Sequence, residues 1–184
     1  MQLCDETDEV LERFKMEFLN ESRTCLLKKE VPKLTIGGIE IGPLQSGVQV
    51  DLPNWVIEIL QEAGIAELLP AEAYESTRRL SNLHRMEMKD HELQTFHPLL
   101  YAAVSRKILK LQRDKTSIDP ISLEETERLQ SMMDALVEIR RSKVVRAAVA
   151  RAYTEKRKKM TNEERWLCER LADLLSSWRE KVLD

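Results

Sequence analysis

The sequence predicts a mostly α-helical protein with one small β-domain near its N-terminal end, an α+β fold. All five glycines and half of the six prolines lie within residues 31–69. Glycine admits unusual backbone angles and proline fixes one, so this segment is built from tight turns. The chain after residue 70 has no glycine and only two further prolines, a composition typical of helices. We therefore divide the chain into an N-terminal helix (1–30), a small β-domain (31–69) and an α-helical bundle domain (70–184).

The N-terminal helix is predicted over residues 5–29, because apolar residues recur there on one broad face. These residues are Val10, Leu11, Phe14, Phe18, Leu19, Cys25 and Leu26. Such a helix either packs on its own chain or docks on a partner as an arm.

The β-domain is predicted to hold three short strands and a fourth extended segment. Alternating apolar residues mark strands at 34–36, 39–41 and 48–50. Gly37-Gly38 is a two-residue hairpin signal between the first two strands. The fourth segment, at 65–68, returns as a short strand or an edge.

One helix is predicted between these strands, opening at Asp51-Leu52-Pro53 and ending at Gly64. Proline suits the first turn of a helix because its missing N–H has no partner there anyway. Trp55 is the largest apolar side chain in the domain, so we expect it to anchor the helix on the strands. The residues expected to shape the domain are Gly42, Pro43, Gly47, Leu52, Pro53 and Trp55.

Four helices are predicted beyond the β-domain, at 71–92, 95–113, 122–158 and 162–183. Two starts carry the capping-box pattern, Ser122 with Glu125 and Thr161 with Glu164. The apolar stripe of the third helix rotates after Arg141. This helix therefore either meets two different neighbours or breaks near that residue.

Composition argues against several classes of protein. The formal net charge of -3 gives no overall attraction to nucleic acid or membranes. No apolar run approaches the roughly 20 residues that a bilayer span needs. The acidic start, MQLCDETDEV, lacks the basic and apolar regions of a signal peptide. A cytosolic protein is expected.

No motif predicts a catalytic, cofactor or metal site. The three cysteines lack the paired spacing of a disulfide framework or a zinc site. His84, His91 and His97 are not spaced as ligands on one helix. No glycine-rich phosphate loop or nucleophile elbow is present. The expectation is a protein without an active site.

Basic residues cluster over 140–159 and allow two interpretations. The run Lys156, Arg157, Lys158 and Lys159 is either a DNA phosphate contact or a solvated helix end whose cations complement the helix dipole. We favour the second, because no aromatic residue is interleaved for stacking on bases. The pair Arg140-Arg141 is interpreted as ion pairs with acidic neighbours or with a partner subunit.

The last two predicted helices carry more apolar surface than one small bundle can cover. We therefore expect a subunit interface in the helical domain. The residues predicted to form it are Val145, Val149, Leu171, Leu174 and Trp178.

Two stretches resemble the GINS family of replication factors. IGPLQSGVQVDLPNWVIEILQEAGIAEL is similar to the small GINS β-domain: a Gly-Pro turn, a spacer ending in Gly, an alternating strand, then Leu-Pro and an aromatic-led helix. RRSKVVRAAVARAYTEKRKKMTNEERWLCERLADLLSSWREKVL resembles the GINS helical domain, with its basic helix, Thr-x-x-Glu cap and final amphipathic helix. The resemblance covers residues 31–183, and the domain order is that of the β-domain-first class. The short chain without low-complexity tails favours an archaeal source.

The resemblance implies a non-catalytic scaffold subunit. GINS subunits of two classes assemble two by two, and the complex joins the MCM helicase ring to a RecJ/Cdc-type protein in the replicative helicase; primase and DNA polymerase are further candidate partners. The implied location is the archaeal cytoplasm at the nucleoid, or the nucleus in a eukaryote. The alternative is a helical DNA-binding regulator with a winged β-element. The single cation of the β-domain, Lys33, speaks against that alternative. An enzyme of another type is the third alternative.

Overall fold

The computed structural model of the chain describes residues 2–113, 120–150 and 153–183. The chain divides into two compact units, one of Lys15–Ala73 and one of Met1–Phe14 with Tyr74–Asp184. The predicted fold class is confirmed: the protein is mostly helical and has a small antiparallel sheet. None of the helices in the described ranges combines the length and apolar character that a membrane span requires.

The unit of residues 15–73 is built on a three-stranded antiparallel sheet. Strand β1 (Ser22–Leu27) lies in the centre, between β4 (Gln49–Pro53) and β5 (Ala66–Leu68). Strands β2 (Leu34–Ile36) and β3 (Ile39–Ile41) form a separate antiparallel hairpin. The predicted Gly37-Gly38 turn and the last strand are therefore confirmed.

The prediction of one helix over 5–29 is confirmed as far as Asn20 and is wrong beyond it. Helix α1 (Gln2–Asn20) ends where the Asn20 side-chain amide donates to the Met16 carbonyl, 2.9 Å away. The chain then enters β1, in which Arg23, Cys25 and Leu27 are buried and their neighbours are not. This period of two shows that the chain is a strand here. Because β1 pairs on both edges, residues 22–27 are the middle of the sheet and not the end of an arm.

Helix α2 (Asn54–Glu62) covers the sheet, and Pro53 lies one residue before it rather than in its first turn. Asn54 is fully buried; its amide nitrogen donates to the Phe18 carbonyl at 2.7 Å, and its oxygen accepts from Arg23 Nε. Trp55 is half-buried and packs against the core of the unit. A Cβ on Gly37 would lie 2.8 Å from Trp55 Cη2, so the indole lies against the hairpin turn.

The second unit contains the remaining helices. They are α3 (Thr77–Lys89), α4 (Leu100–Arg113), α5 (Pro120–Val149), the short α6 (Tyr153–Lys156) and α7 (Asn162–Leu183), with a 3₁₀ turn over Arg157–Lys159 before α7. The last predicted helix is confirmed at both ends, whereas the first two begin about five residues later than predicted. The helix predicted at 122–158 ends at Val149. Its predicted cap is wrong, because Ser122 lies inside α5 and Glu125 binds Lys107 at 3.0 Å instead.

Helix α5 crosses two separate hydrophobic clusters and is continuous through Arg141, so the first of the two alternatives for its rotating stripe is confirmed. Its first half contributes Leu129 and Leu136 to a cluster with α3 and α4. Its second half contributes Val144, Ala147 and Ala148 to a cluster with α7.

Gly42 and Gly47 give a matched test of turn geometry in the β unit. Both have left-handed backbones, with φ of 89° and 85°, so alanine at either position carries a similar conformational cost of about 1–2 kcal/mol. A Cβ on Gly42 would lie 2.7 Å from the Pro32 carbonyl oxygen, whereas a Cβ on Gly47 would meet no atom within 4 Å. Gly42→Ala should therefore destabilise the unit by about 1–3 kcal/mol more than Gly47→Ala, measured by urea unfolding. Equal losses would contradict this steric reading.

Candidate interaction surfaces

One buried arginine connects the elements of the helical unit. Arg140 is 1% exposed. Its Nε and Nη2 donate to the two oxygens of Glu164 on α7, and its Nη1 donates to Glu87 on α3 at 3.2 Å. The remaining guanidinium hydrogens reach the carbonyls of Gln94 at 2.8 Å and Lys159 at 2.9 Å. All five donors of the guanidinium are therefore satisfied within the chain.

Lys143 neutralises the other side of Glu87. Its Nζ lies 2.6 Å from Glu87 Oε1 and also donates to the carbonyls of Glu87, Asp90 and Glu92 at 2.7–3.1 Å. Two cations and two carboxylates, all buried, thus balance to zero charge. We call Arg140, Lys143, Glu87, Glu164 and Tyr101 the Arg140 network.

Glu164 also caps α7, as its spacing from Thr161 predicts. Its carboxylate accepts from the Thr161 amide at 3.1 Å, and its own amide donates to the Thr161 hydroxyl at 3.3 Å. Tyr101 on α4 donates to Glu164 at 2.6 Å. Burial, and then the charge and hydrogen bond of Glu164, raise the pKa of Tyr101 well above its usual value, so the hydroxyl keeps its proton. One carboxylate therefore holds the start of α7 against α4 and α5.

Burial and pairing act in opposite directions on Arg140. Burial alone lowers the pKa of the guanidinium, whereas the hydrogen bonds and charge of Glu164, followed by the charge of Glu87, raise it above its ordinary value. The guanidinium also lies 4.0 Å above the centre of the Phe96 ring. Arg140 is charged in the fold and unavailable to a partner. The interpretation of Arg140-Arg141 as ion pairs with acidic neighbours is confirmed, since Arg141 pairs with Glu138.

The apolar face of α7 is covered along its first half only. Cys168 is fully buried against α5, but Leu174, Trp178 and Val182 are exposed by 64%, 62% and 61%. These residues and Leu175 continue the same helical stripe toward the C-terminal end. We call Leu174, Leu175, Trp178 and Val182 the α7 strip. No helix or strand in the part of the chain that the structure describes covers the α7 strip.

The predicted interface residues divide into two groups. Val145, Val149, Leu174 and Trp178 are exposed and available for contact. Leu171 is partly buried and packs on the chain's own cluster around Cys168. It supports the α7 strip from within rather than belonging to it.

The basic run does not end a long helix, as one interpretation required. Lys156 is the last residue of the four-residue α6 and lies 3.4 Å from Glu92. Arg157, Lys158 and Lys159 form the 3₁₀ turn, whose backbone is used internally. The Arg157 carbonyl accepts from Arg165 at 3.0 Å, and the Arg157 guanidinium lies 5.8 Å from the Tyr153 ring. Part of the run therefore makes contacts within the chain, with α7 and with the segment before α4.

Sequence reasoning missed Glu87, Tyr101 and the burial of Lys143. The available signal was weak: a lone acid in a basic helix and an Arg-x-x-Lys pair on one face of α5. Among the described residues, no three His, Cys, Asp or Glu side chains lie together as a metal ion would need. Comparisons with protein-family models and with curated proteins give no match for this chain.

Arg140 and Arg141 form a matched pair for mutation. Arg140→Met leaves Glu87 and Glu164 buried with fewer partners and should cost about 3–5 kcal/mol of unfolding free energy. Arg141→Met makes the same change at a side chain that is 63% exposed, so the cost should be about 0–1 kcal/mol. Chemical denaturation of both variants measures the difference. Similar small losses in both would show that the Arg140 network does not hold the helical unit.

Glu163 should make stability depend on pH in a defined direction. Burial raises the pKa of its carboxyl, although hydrogen bonds from its own backbone amide, Thr161 and Ala102 oppose the shift, and its Oε2 atom has no hydrogen-bond partner among the described residues. Because the folded pKa lies above the unfolded one, the ionised form lowers stability at neutral pH and the penalty disappears below about pH 4.3.

Glu163→Gln should therefore raise the melting temperature at pH 7, with a gain that shrinks as the pH falls. Glu180→Gln removes the same charge from an exposed position on α7 and is the control for loss of the charge itself. Melting temperatures of both variants and of the unaltered chain, measured from pH 7 down to about pH 4.3, test this prediction. A gain for Glu163→Gln that does not change with pH would contradict the assignment.

Proposed function

We propose that the chain is a non-catalytic scaffold subunit of a GINS-type complex that assembles with a second subunit class. The α7 strip is the observation that carries this proposal. Leu174 and Trp178 are each more than 60% exposed. Exposed apolar patches mark interaction sites, and tryptophan is a typical anchor of protein interfaces. The resemblance of 31–69 and 140–183 to the two GINS domains supplies the identity of the partner.

The fixed position of α7 in the helical unit is consistent with a scaffold. Because Glu164 is fixed by Arg140, Tyr101 and its own cap, α7 leaves the folded body in one direction. A partner that covers the α7 strip meets a pre-organised helix, so little ordering entropy is lost on binding. This is a property expected of a subunit that positions other proteins.

The proposed assembly acts in DNA replication. In it, the chain and the second subunit class join two by two, and the complex connects the MCM helicase ring with a RecJ/Cdc-type protein. Primase and DNA polymerase are candidate additional partners. The place of action would be the nucleoid of an archaeal cell, or the nucleus in a eukaryotic one.

Co-expression with candidate second subunits from the same genome, followed by native mass measurement, tests the proposal. The expected result is a complex containing two copies of each chain. Leu174→Glu with Trp178→Glu should abolish co-purification while leaving the circular dichroism of the chain unchanged, because both side chains are exposed in the folded chain. Val145→Asp with Val149→Asp tests the exposed valines of α5 in the same way.

The exposed Leu109 of α4 provides the control. Leu109→Glu adds one negative charge to an apolar surface position, the same change that Leu174→Glu makes alone, and should leave the complex intact. A chain that stays monomeric at micromolar concentration with every candidate partner would overturn the proposal. If the chain instead forms a stable homo-oligomer that the α7 variants dissociate, the α7 strip is an interface, but the proposal of a second subunit class is wrong. Salt-dependent duplex binding without any assembly would favour the DNA-binding regulator instead.

A further inference from the structure

Helix α3 presents a cationic face on its exposed side. Arg78, Asn82, Arg85 and Lys89 follow one another at steps of four, three and four residues, so they form one line along the helix, about 16 Å long. All four are exposed, as is Arg79 beside the line. We call these five residues the α3 stripe.

Helix α3 has no carboxylate on the side of the stripe. The one acidic residue of α3, Glu87, lies on the opposite face and forms ion pairs with Arg140 and Lys143 in the interior. Among the described residues, no carboxylate lies within ion-pair distance of Arg78, Arg79, Arg85 or Lys89. The stripe therefore carries four positive charges with no acidic partner there.

A cavity of about 260 Å³ opens beside the stripe and shares two of its residues. Arg79 and Asn82 line the cavity together with the rings of Tyr74 and His97. These rings stack on each other with centroids 3.8 Å apart and planes inclined by 20°. Thr95 and the side chains of two leucines complete the wall. Stacked rings, a guanidinium and an amide in a small open cavity are the groups that receive a planar, hydrogen-bonding guest.

We propose that the α3 stripe and this cavity bind single-stranded nucleic acid. The stripe contacts successive phosphates, and the cavity receives one unstacked base. Positive grooves combined with aromatic stacking platforms are the usual means by which proteins hold single strands. The bases of a duplex are paired and cannot enter the cavity. An acidic peptide would match the stripe but would leave the ring stack unused. The inference does not depend on the assembly proposed above.

The site differs from the basic run that the sequence suggested for DNA. In that run Lys156 is paired with Glu92 and Arg157 lies near the Tyr153 ring. Arg157 and Lys158 remain exposed, so they provide a control of equal charge on the same unit.

Fluorescence anisotropy of a labelled oligothymidine with the full chain, over a range of salt concentrations, tests the proposal. Arg78→Ala with Arg85→Ala should weaken binding and reduce the slope of log affinity against log salt by about 0.7 for each lost contact. Arg157→Ala with Lys158→Ala removes the same charge and should leave affinity and slope close to those of the unaltered chain. An equal loss in the control pair would overturn the assignment to α3.

An abasic oligonucleotide of the same length separates the cavity from the stripe. The unaltered chain should bind the intact strand at least about fivefold more tightly than the abasic one, because one stacked base adds about that much affinity or more. Tyr74→Leu should remove this preference without changing the salt slope. Asn82→Ala, at an exposed position whose amide oxygen accepts from Arg85 at 3.3 Å, should reduce the preference by a smaller factor. No preference in the unaltered chain would overturn the cavity assignment.

Equal affinity for duplex, or tighter binding of poly-glutamate at the same salt, would overturn the nucleic-acid proposal.

Discussion

The buried guanidinium of Arg140 is the constraint on which the helical unit depends. A charged group at 1% exposure is tolerated only if its charge and all of its donors are satisfied. Here that condition requires α3, α7 and the carbonyls of Gln94 and Lys159 to converge on one side chain of α5. Because the directions of five hydrogen bonds are fixed by one planar group, alternative packings of these elements would leave buried charges unpaired. The network thus selects one arrangement more than it adds stability.

The pairing of charges in the interior also determines the chemistry of the surface. The one carboxylate of α3, Glu87, lies in the interior, so the cations on the outer face of α3 have no acidic residue of the same helix beside them. Since α5 ends at Val149, the stripe of α7 that is buried at Cys168 becomes bare at Leu174. A cationic face and an apolar face therefore arise from the same core. The partners proposed for the two faces therefore differ in chemistry, one being apolar and the other anionic.

The sequence predicted most accurately the features that are decided locally. The Gly37-Gly38 turn and the capping box at Thr161 are fixed by residues within three positions of each other, and both are present. Strand β1 was missed because Cys25 and Leu26 also fit a helical face that continues from Phe18, and only pairing with β4 and β5 decides between the two. The fate of Lys143 was equally hidden, since Glu87 lies 56 positions away in the sequence. The sequence alone does not distinguish a basic residue that is exposed to solvent from one that is paired with a buried acid.

Glu164 joins the local and the long-range determinants of the fold. As the third residue after Thr161 it defines where α7 begins, and as the partner of Arg140 and Tyr101 it defines where that start lies. Leu174 follows ten residues later, about 15 Å along a helix without glycine or proline. The direction of the α7 strip is therefore set by a buried ion pair at the other end of the helix. Weakening that pair would displace the strip without altering any of its residues, so the geometry offered to a partner is a property of the core.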